Sequence, residues 1–176
     1  MTDEIIINKT KIKLLKTDIT DIEIDAFVYY AREDLELGSG FGTAISLRGG
    51  PSVQKELKKI GGKKPTEVVI TSAGDMKAKY IVHAVGPKFQ EEDMDTKLAT
   101  TIRNALEEAD KKGIQRIAMP AMGAGFYTVP IDTSAKITGN VLKEFLQNET
   151  NIKEVVLCML DSKQYKAFQQ YLATLT

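Results

Sequence analysis

Seven short apolar runs are spaced along the chain, and each predicts a β-strand. They lie at residues 4–8, 11–15, 25–30, 67–71, 80–85, 116–119 and 154–160. Several are continuous apolar stretches rather than alternating ones, which is typical of strands that are covered on both faces. The pattern therefore predicts a sheet that is buried between helices.

Apolar residues at helical spacing follow the later runs. Helices are predicted at residues 95–112, 132–147 and from about 162 onward, and Gly113 ends the first of them. Strands that alternate with helices through short turns are typical of an α/β fold, a three-layer α/β/α sandwich. A chain of 176 residues suits one core, so we expect a single domain over residues 1–176.

Two glycine-rich turns interrupt this pattern and give the first indication of chemistry. The first is GSGFGTAI at residues 38–45, the second is GAGFYTVP at residues 123–130, and each is predicted to lead from a strand into a helix. Glycine lets a ligand approach the backbone closely, and a helix start offers unpaired N–H groups at the positive end of the dipole. One such turn is explained by tight turning alone, but the pair favours a diphosphate that is held from both sides.

Composition narrows the classes of function. Basic and acidic residues balance at 24 each, which argues against a dedicated nucleic-acid binder. A lysine cluster (Lys55, Lys58, Lys59, Lys63 and Lys64) leaves a local patch open, although a solvated helix face is the simpler interpretation. With one cysteine and one histidine we expect no metal site, and without a signal peptide or apolar span we expect a soluble cytoplasmic protein.

The common phosphate and nucleophile motifs are missing from the sequence. The first turn reads GxGxG rather than the dinucleotide pattern GxGxxG, and neither turn is followed by GK[ST]. There is also no GxSxG elbow. Any Ser-His-Asp triad would need His83, which lies within an apolar run and is better explained as a hydrogen-bonded core histidine. Cys158 lies in a similar run and is interpreted as a buried small hydrophobe.

The order of the motifs resembles the macrodomain family over nearly the whole chain. The segments that carry the resemblance are KTDIT at 16–20, DAFV at 25–28, the first glycine turn, ITSAG at 70–74, YIVHAVGP at 80–87 and the second glycine turn. The resemblance implies a mixed, mostly parallel sheet between helices and a cleft for ADP-ribose or a related nucleotide at its crest. It implies no cofactor or metal, and it allows an ADP-ribosylated protein as a partner.

The resemblance also implies roles for individual residues. Asp18 would accept from the adenine amino group and Ile19 would line the adenine pocket, although Asp18 also suits a turn or a helix cap. The two phosphate loops would consist of Gly38, Ser39, Gly40 and Phe41, and of Gly123, Ala124, Gly125 and Phe126. Phe126 would cover the distal ribose, unless it is a core anchor. Leu160 stands where the family has an aromatic residue that stacks on adenine.

Several positions depart from the family pattern for catalysis. Tyr29 and Arg32 stand where the family usually has two asparagines, and Gly42 and Ser46 stand where some hydrolytic members carry an acid and a histidine. Neither Gly42 nor Ser46 can act as a general base at neutral pH. Three acidic residues precede the first turn, Glu33, Asp34 and Glu36. They are interpreted as a source of a general base, as charges that select against an extended anionic ligand, or only as solvated loop charges.

We therefore favour a binding module for ADP-ribose or a related nucleotide diphosphate. Two alternatives stay open. One is a hydrolase of ADP-ribosyl groups, O-acetyl-ADP-ribose or ADP-ribose 1''-phosphate. The other is a binder of RNA or oligonucleotides that uses the same cleft and the lysine cluster.

Overall fold

The computed structural model describes residues 3–38 and 40–175. The strands in this part of the chain are β1 (Glu4–Ile7), β2 (Thr10–Lys16), β3 (Ala26–Ala31), β4 (Val68–Ser72), β5 (Tyr80–Val85), β6 (Arg116–Met119) and β7 (Glu154–Met159). The α-helices are α1 (Phe41–Gly49), α2 (Pro51–Ile60), α3 (Met94–Lys111), α4 (Ile131–Leu146) and α5 (Ser162–Ala173). A short 3-10 helix covers Ile19–Asp21.

All seven strands form one mixed sheet in the order β1-β2-β7-β6-β3-β5-β4. The pairs from β2 through β7, β6 and β3 to β5 are parallel, whereas β1 and β4 pair antiparallel at the two edges. The carboxyl ends of the parallel strands therefore lie at one edge of the sheet, which is where open α/β sheets bind their ligands.

Helices cover both faces of the sheet. Helices α1 and α2 pack on one face through Ile45, Val53 and Leu57. Helices α3, α4 and α5 pack on the other face, where Leu98 and Phe168 belong to the larger apolar cluster. The predicted three-layer sandwich with a mixed, mostly parallel sheet is confirmed.

The two residues interpreted as core groups are buried. His83 has no exposed surface, and its Nε2 lies 2.8 Å from the hydroxyl oxygen of Thr71 on the neighbouring strand. Cys158 is buried in β7, and burial raises the pKa of its thiol to about 12. Both interpretations are confirmed. Within residues 3–38 and 40–175, none of the helices is long and apolar enough to cross a membrane.

Candidate ligand-binding cleft

A cleft of about 1080 Å³ opens at the carboxyl ends of four neighbouring strands, β2, β7, β6 and β3. Asp18 follows β2, Leu160 follows β7, Ala121 follows β6 and Arg32 follows β3, and all four residues line the cleft. Its volume lies slightly above the range of about 300–1,000 Å³ that is typical of small-molecule pockets. The topology thus gathers into one cavity residues that are far apart in sequence.

Asp18 caps the 3-10 helix at one end of the cleft. Its Oδ1 accepts from the Thr20 backbone N–H at 2.9 Å and from the Thr20 hydroxyl at 2.6 Å. Its Oδ2 pairs with Arg48 of α1 at 3.2 Å. The Thr20 hydroxyl bond is the main reason that the pKa of Asp18 lies below its ordinary value, with Arg48 contributing. The cap that the sequence allowed is confirmed, and the carboxylate stays charged at neutral pH.

Apolar side chains surround Asp18 at this end. Ile19 and Cys158 line the cleft and are buried. Leu160 lines it as well, but 76% of its surface is exposed. A flat apolar group can therefore lie against these residues while its polar edge faces the carboxylate.

The first glycine turn leads into α1, as predicted. Gly40 precedes the helix with a φ of 53°, a conformation that favours glycine, and the helix has no side-chain cap. Within the described residues, the N–H groups of Phe41 and Gly42 have no hydrogen-bond acceptor, as is usual in a first helical turn. Gly40 and Phe41 line the cleft. Ser39 lies outside the described residues.

The second glycine turn leads into α4 and is closed by its own hydrogen bonds. The Val129 N–H donates to Gly123 O at 2.9 Å, and the Thr128 N–H donates to Gly125 O at 3.0 Å. Among residues 3–38 and 40–175, the N–H groups of Gly125 and Phe126 find no acceptor. Both residues line the cleft, as does Gly123. Residues of both glycine turns therefore line one cavity, and within the described residues each turn has N–H groups without an acceptor.

Phe126 projects from the second turn with 81% of its surface exposed. Its ring meets only the edge of Tyr127, at a centroid distance of 5.5 Å, among the described aromatic residues. The alternative that Phe126 is a core anchor is therefore wrong. The backbone beside it is braced, because the Phe89 N–H donates to Tyr127 O at 3.1 Å.

Three residues of the sequence Tyr29-Tyr30-Ala31-Arg32 line the far end of the cleft. The Tyr30 hydroxyl donates to Pro87 O. The Tyr29 ring is buried against Phe41, and burial raises the pKa of its hydroxyl to about 12. Arg32 pairs with Asp34 at 2.7 Å. The sequence singled out Tyr29 and Arg32 as departures from the family pattern, but it did not show that their side chains share the cleft.

Other residues named from the sequence lie outside this lining. Gly38 and Ala124 do not line the cleft, and the Ala124 N–H is used within its own turn, donating to Ala121 O at 3.2 Å. The acids before the first turn, at positions 33, 34 and 36, also stay outside it. The contact of Arg48 with Asp18 was not predicted from the sequence, since 30 positions separate the two residues, and Tyr127, which lines the cleft, was not named as a site residue either.

Comparison with known proteins identifies the family. A family model described as Macro domain matches residues 30–138. A macro domain-containing protein from Caldanaerobacter subterraneus subsp. tengcongensis is 38% identical over 168 residues, which cover 92% of this chain and 95% of the relative. The chain belongs to the Macro domain family. An uncharacterized protein from Saccharolobus solfataricus is 40% identical over 163 residues, 90% of each chain.

Solved macrodomains have the same fold. A mutant Oceanobacillus iheyensis macrodomain with ADP-ribose superposes with a TM-score of 0.93 at 28% identity, covering 98% of this chain and 97% of that one. The macrodomain of Trypanosoma brucei in complex with ADP-ribose gives a TM-score of 0.85 at 25% identity, covering 92% of this chain and 68% of that one. The resemblance stated from the motifs is confirmed for the family and the fold.

The ionisable groups of this macro domain cleft limit its chemistry. Tyr29 and Cys158 both have pKa values near 12 because they are buried, so neither is ionised at neutral pH. The carboxylates that line the cleft, Asp18 and Asp161, both act as helix N-caps. In the described part of the chain no cluster of His, Cys, Asp and Glu could hold a metal ion. Among the described residues that line the cleft, each carboxylate therefore caps a helix.

Proposed function

We propose that this protein binds ADP-ribose, or a related adenine nucleotide diphosphate, in the cleft. The observation that carries the proposal is that residues of both glycine turns line one cavity with Asp18, and that within the described residues each turn has N–H groups without an acceptor. The relatives add weight, because solved macrodomains of the same fold are described with ADP-ribose and with ADP.

The proposed ligand lies along the cleft with its base at the Asp18 end. Asp18 accepts from the adenine amino group while Ile19 and Leu160 contact the faces of the ring. The diphosphate lies between residues 38–41 and residues 123–126, where N–H groups and the start of α1 stabilise its charge. Gly38 and Ala124, which do not line the cleft, act by shaping the turns. Phe126 covers the distal ribose.

The proposal requires neither a metal nor a cofactor, since backbone N–H groups neutralise the diphosphate. We also propose that residues 1–176 act as a single domain. The lysine cluster on and after α2 is mostly exposed to solvent, and none of its five lysines lines the cleft. That placement favours a solvated surface over a second nucleic-acid site.

Isothermal titration against ADP-ribose, ADP, AMP and a short oligonucleotide tests the proposal. We expect ADP-ribose to bind with a dissociation constant near micromolar, about −8 kcal/mol. The oligonucleotide should bind more weakly and with a steeper dependence on salt. No heat and no thermal shift at millimolar ADP-ribose would contradict the proposed function.

A glycine series in the second turn tests where the phosphates lie. A Cβ at Gly125 would have no neighbour within 4 Å, and its φ is not positive, so Gly125→Ala and Gly125→Val should both fold. We expect affinity for ADP-ribose to fall with side-chain size, by about tenfold or more for valine, or about 1.4 kcal/mol. Equal affinity in both folded variants would show that this turn does not contact phosphate.

We further propose that the protein binds without turnover. The position at the end of β3 where hydrolytic members use asparagine carries Arg32, and Gly42 and Ser46 supply no base. We expect no measurable release of ADP-ribose from a mono-ADP-ribosylated protein during prolonged incubation. Multiple turnover that stops when the cleft is blocked by Gly125→Val would favour the hydrolase alternative instead.

A further inference from the structure

Three polar side chains gather at the end of the cleft that lies opposite Asp18, and the proposed backbone contacts of the glycine turns do not use them. They are Arg32, Tyr29 and Tyr127, and all three line the cleft. Tyr29 and Arg32 come from the end of β3, whereas Tyr127 comes from the second glycine turn. Two separate elements therefore bring hydrogen-bond donors to one place.

The Arg32 guanidinium lies over the first glycine turn. A Cβ at Gly38 would stand 2.5 Å from Nη1 of Arg32, so the guanidinium occupies the space that only glycine leaves open there. Its other terminal nitrogen, Nη2, donates to Asp34 at 2.7 Å. Among the described residues this is the guanidinium's one hydrogen-bond acceptor. Because arginine carries five N–H donors in a planar fork, most of them remain available.

The two tyrosines add hydroxyl donors beside this charge. The Tyr29 ring is held between Phe41 and His83, and its hydroxyl oxygen would lie 2.7 Å from a Cβ at Gly42 in the first turn of α1. Within the described residues, the Tyr29 and Tyr127 hydroxyls take part in none of the side-chain hydrogen bonds, whereas the neighbouring Tyr30 hydroxyl donates to Pro87 O. The positive charge of Arg32 opposes the rise in the pKa of both hydroxyls, which burial causes, so the three groups lie within electrostatic range of one another.

We propose that Arg32, Tyr29 and Tyr127 form a side-chain anion subsite that binds a phosphate group of the nucleotide. This inference rests on the proposed function and deepens it. Backbone N–H groups hold the diphosphate by dipoles alone, whereas a guanidinium adds a full charge in a geometry that matches two phosphate oxygens. Arg32 is then a residue that sets specificity, because affinity depends on the charge of the phosphate as well as on the distal ribose.

Asp34 acts against this subsite in the free protein. Its carboxylate engages Arg32 in an ion pair in which both side chains are about half exposed. Asp34 Oδ1 also accepts from the Glu36 N–H at 2.9 Å, which holds the carboxylate in place. Glu33 lies close enough to influence Tyr127, and the Lys88 ammonium lies 5.9 Å from the Tyr127 ring. A phosphate that enters the subsite competes with Asp34 for the guanidinium, and removal of the Asp34 charge should tighten binding.

Titration of variants with ADP, ADP-ribose and adenosine tests the subsite. Arg32→Gln should lower the affinity for ADP and ADP-ribose by about tenfold or more and leave adenosine within about twofold of wild type. Asp34→Asn should raise the affinity for ADP and for ADP-ribose. Arg103→Gln is the matched control, since Arg103 pairs with Glu144 on α4 and does not line the cleft. If Arg32→Gln binds ADP with the same affinity as Arg103→Gln, the subsite is overturned. It is also overturned if Arg32→Gln loses as much affinity for adenosine as for ADP.

Inorganic pyrophosphate separates failure of the subsite from failure of the proposed function. If wild type binds neither nucleotide, the proposed function fails, but a thermal shift with pyrophosphate that disappears in Arg32→Gln and persists in Arg103→Gln still supports the subsite. If pyrophosphate gives no shift that depends on Arg32, the subsite is overturned as well. Circular dichroism of each variant establishes that it is folded.

Discussion

At the scale of single residues, the two carboxylate oxygens of Asp18 have different partners. Oδ1 accepts both bonds from Thr20 and so caps the 3-10 helix, whereas Oδ2 faces Arg48. The Arg48 pair is half exposed, and such pairs contribute little to stability. Oδ2 is therefore the oxygen that can accept from an incoming amino group without opening the helix cap.

Two substitutions of Asp18 separate its cap from its proposed contact with adenine. Asp18→Ala should lower the free energy of unfolding by about 1 kcal/mol because the cap is lost. It should also weaken the binding of ADP-ribose by about 1.5–3 kcal/mol. Asp18→Asn keeps an acceptor for the Thr20 N–H, so its melting temperature should stay near that of wild type. Its affinity for ADP-ribose should still fall. Titration and thermal melts of both variants measure the two effects.

The control ligand is inosine diphosphate ribose, which has a carbonyl in place of the adenine amino group. It should bind wild type weakly, because an acceptor would face the carboxylate, and it should gain or stay unchanged in Asp18→Asn. Equal losses of affinity for the two ligands would show that Asp18 only caps the 3-10 helix and does not contact the adenine amino group.

At the scale of elements, the second glycine turn combines a fixed backbone with an exposed aromatic side chain. Two internal hydrogen bonds and the bond from the Phe89 N–H hold the backbone. The Phe126 ring nevertheless projects into solvent. Because the ring is exposed, it adds little to the stability of the fold. A ligand beneath it would bury this apolar surface, and that burial would favour binding.

Phe126→Ala should therefore separate ligands rather than weaken the fold. Loss of an exposed side chain should change the unfolding free energy by less than about 0.5 kcal/mol. Affinity for ADP-ribose should fall by about 0.5–1.5 kcal/mol, the range of a ring contact, whereas ADP should bind as it does to wild type. Titration of ADP and ADP-ribose into wild type and Phe126→Ala measures these affinities. An equal loss of affinity for ADP would mean that Phe126 contacts the phosphates instead of the ribose.

The same elements show what the sequence could predict. Every strand was visible as an apolar run, and the helices α3, α4 and α5 followed from their spacing, because burial on both faces of a sheet leaves a strong pattern. The antiparallel direction of β4 leaves no such pattern. The pairing of Arg48 with Asp18 and the position of Arg32 over Gly38 also left none, since contacts of long flexible side chains depend on the tertiary fold.

At the scale of the whole molecule, one buried histidine links stability to pH. His83 is the only histidine of the chain. Burial lowers its pKa to about 3, and its Nδ1 has no hydrogen-bond partner within residues 3–38 and 40–175. The folded protein therefore keeps this ring neutral at pH values where the unfolded chain, with an ordinary value of 6.5, protonates it. Because only the unfolded state binds this proton, stability must fall as the pH drops below about 6.5.

We expect the unfolding free energy of wild type to fall by about 2 kcal/mol between about pH 7 and pH 5, at a limiting slope of about 1.4 kcal/mol per pH unit. Most carboxylates titrate below this window, so His83 dominates it. His83→Gln can keep a hydrogen bond to Thr71, and although it loses the ring contact with Tyr29, its stability should be nearly constant over the same range. Urea unfolding of both proteins at the two pH values measures this, and parallel losses would mean that a different group binds the proton.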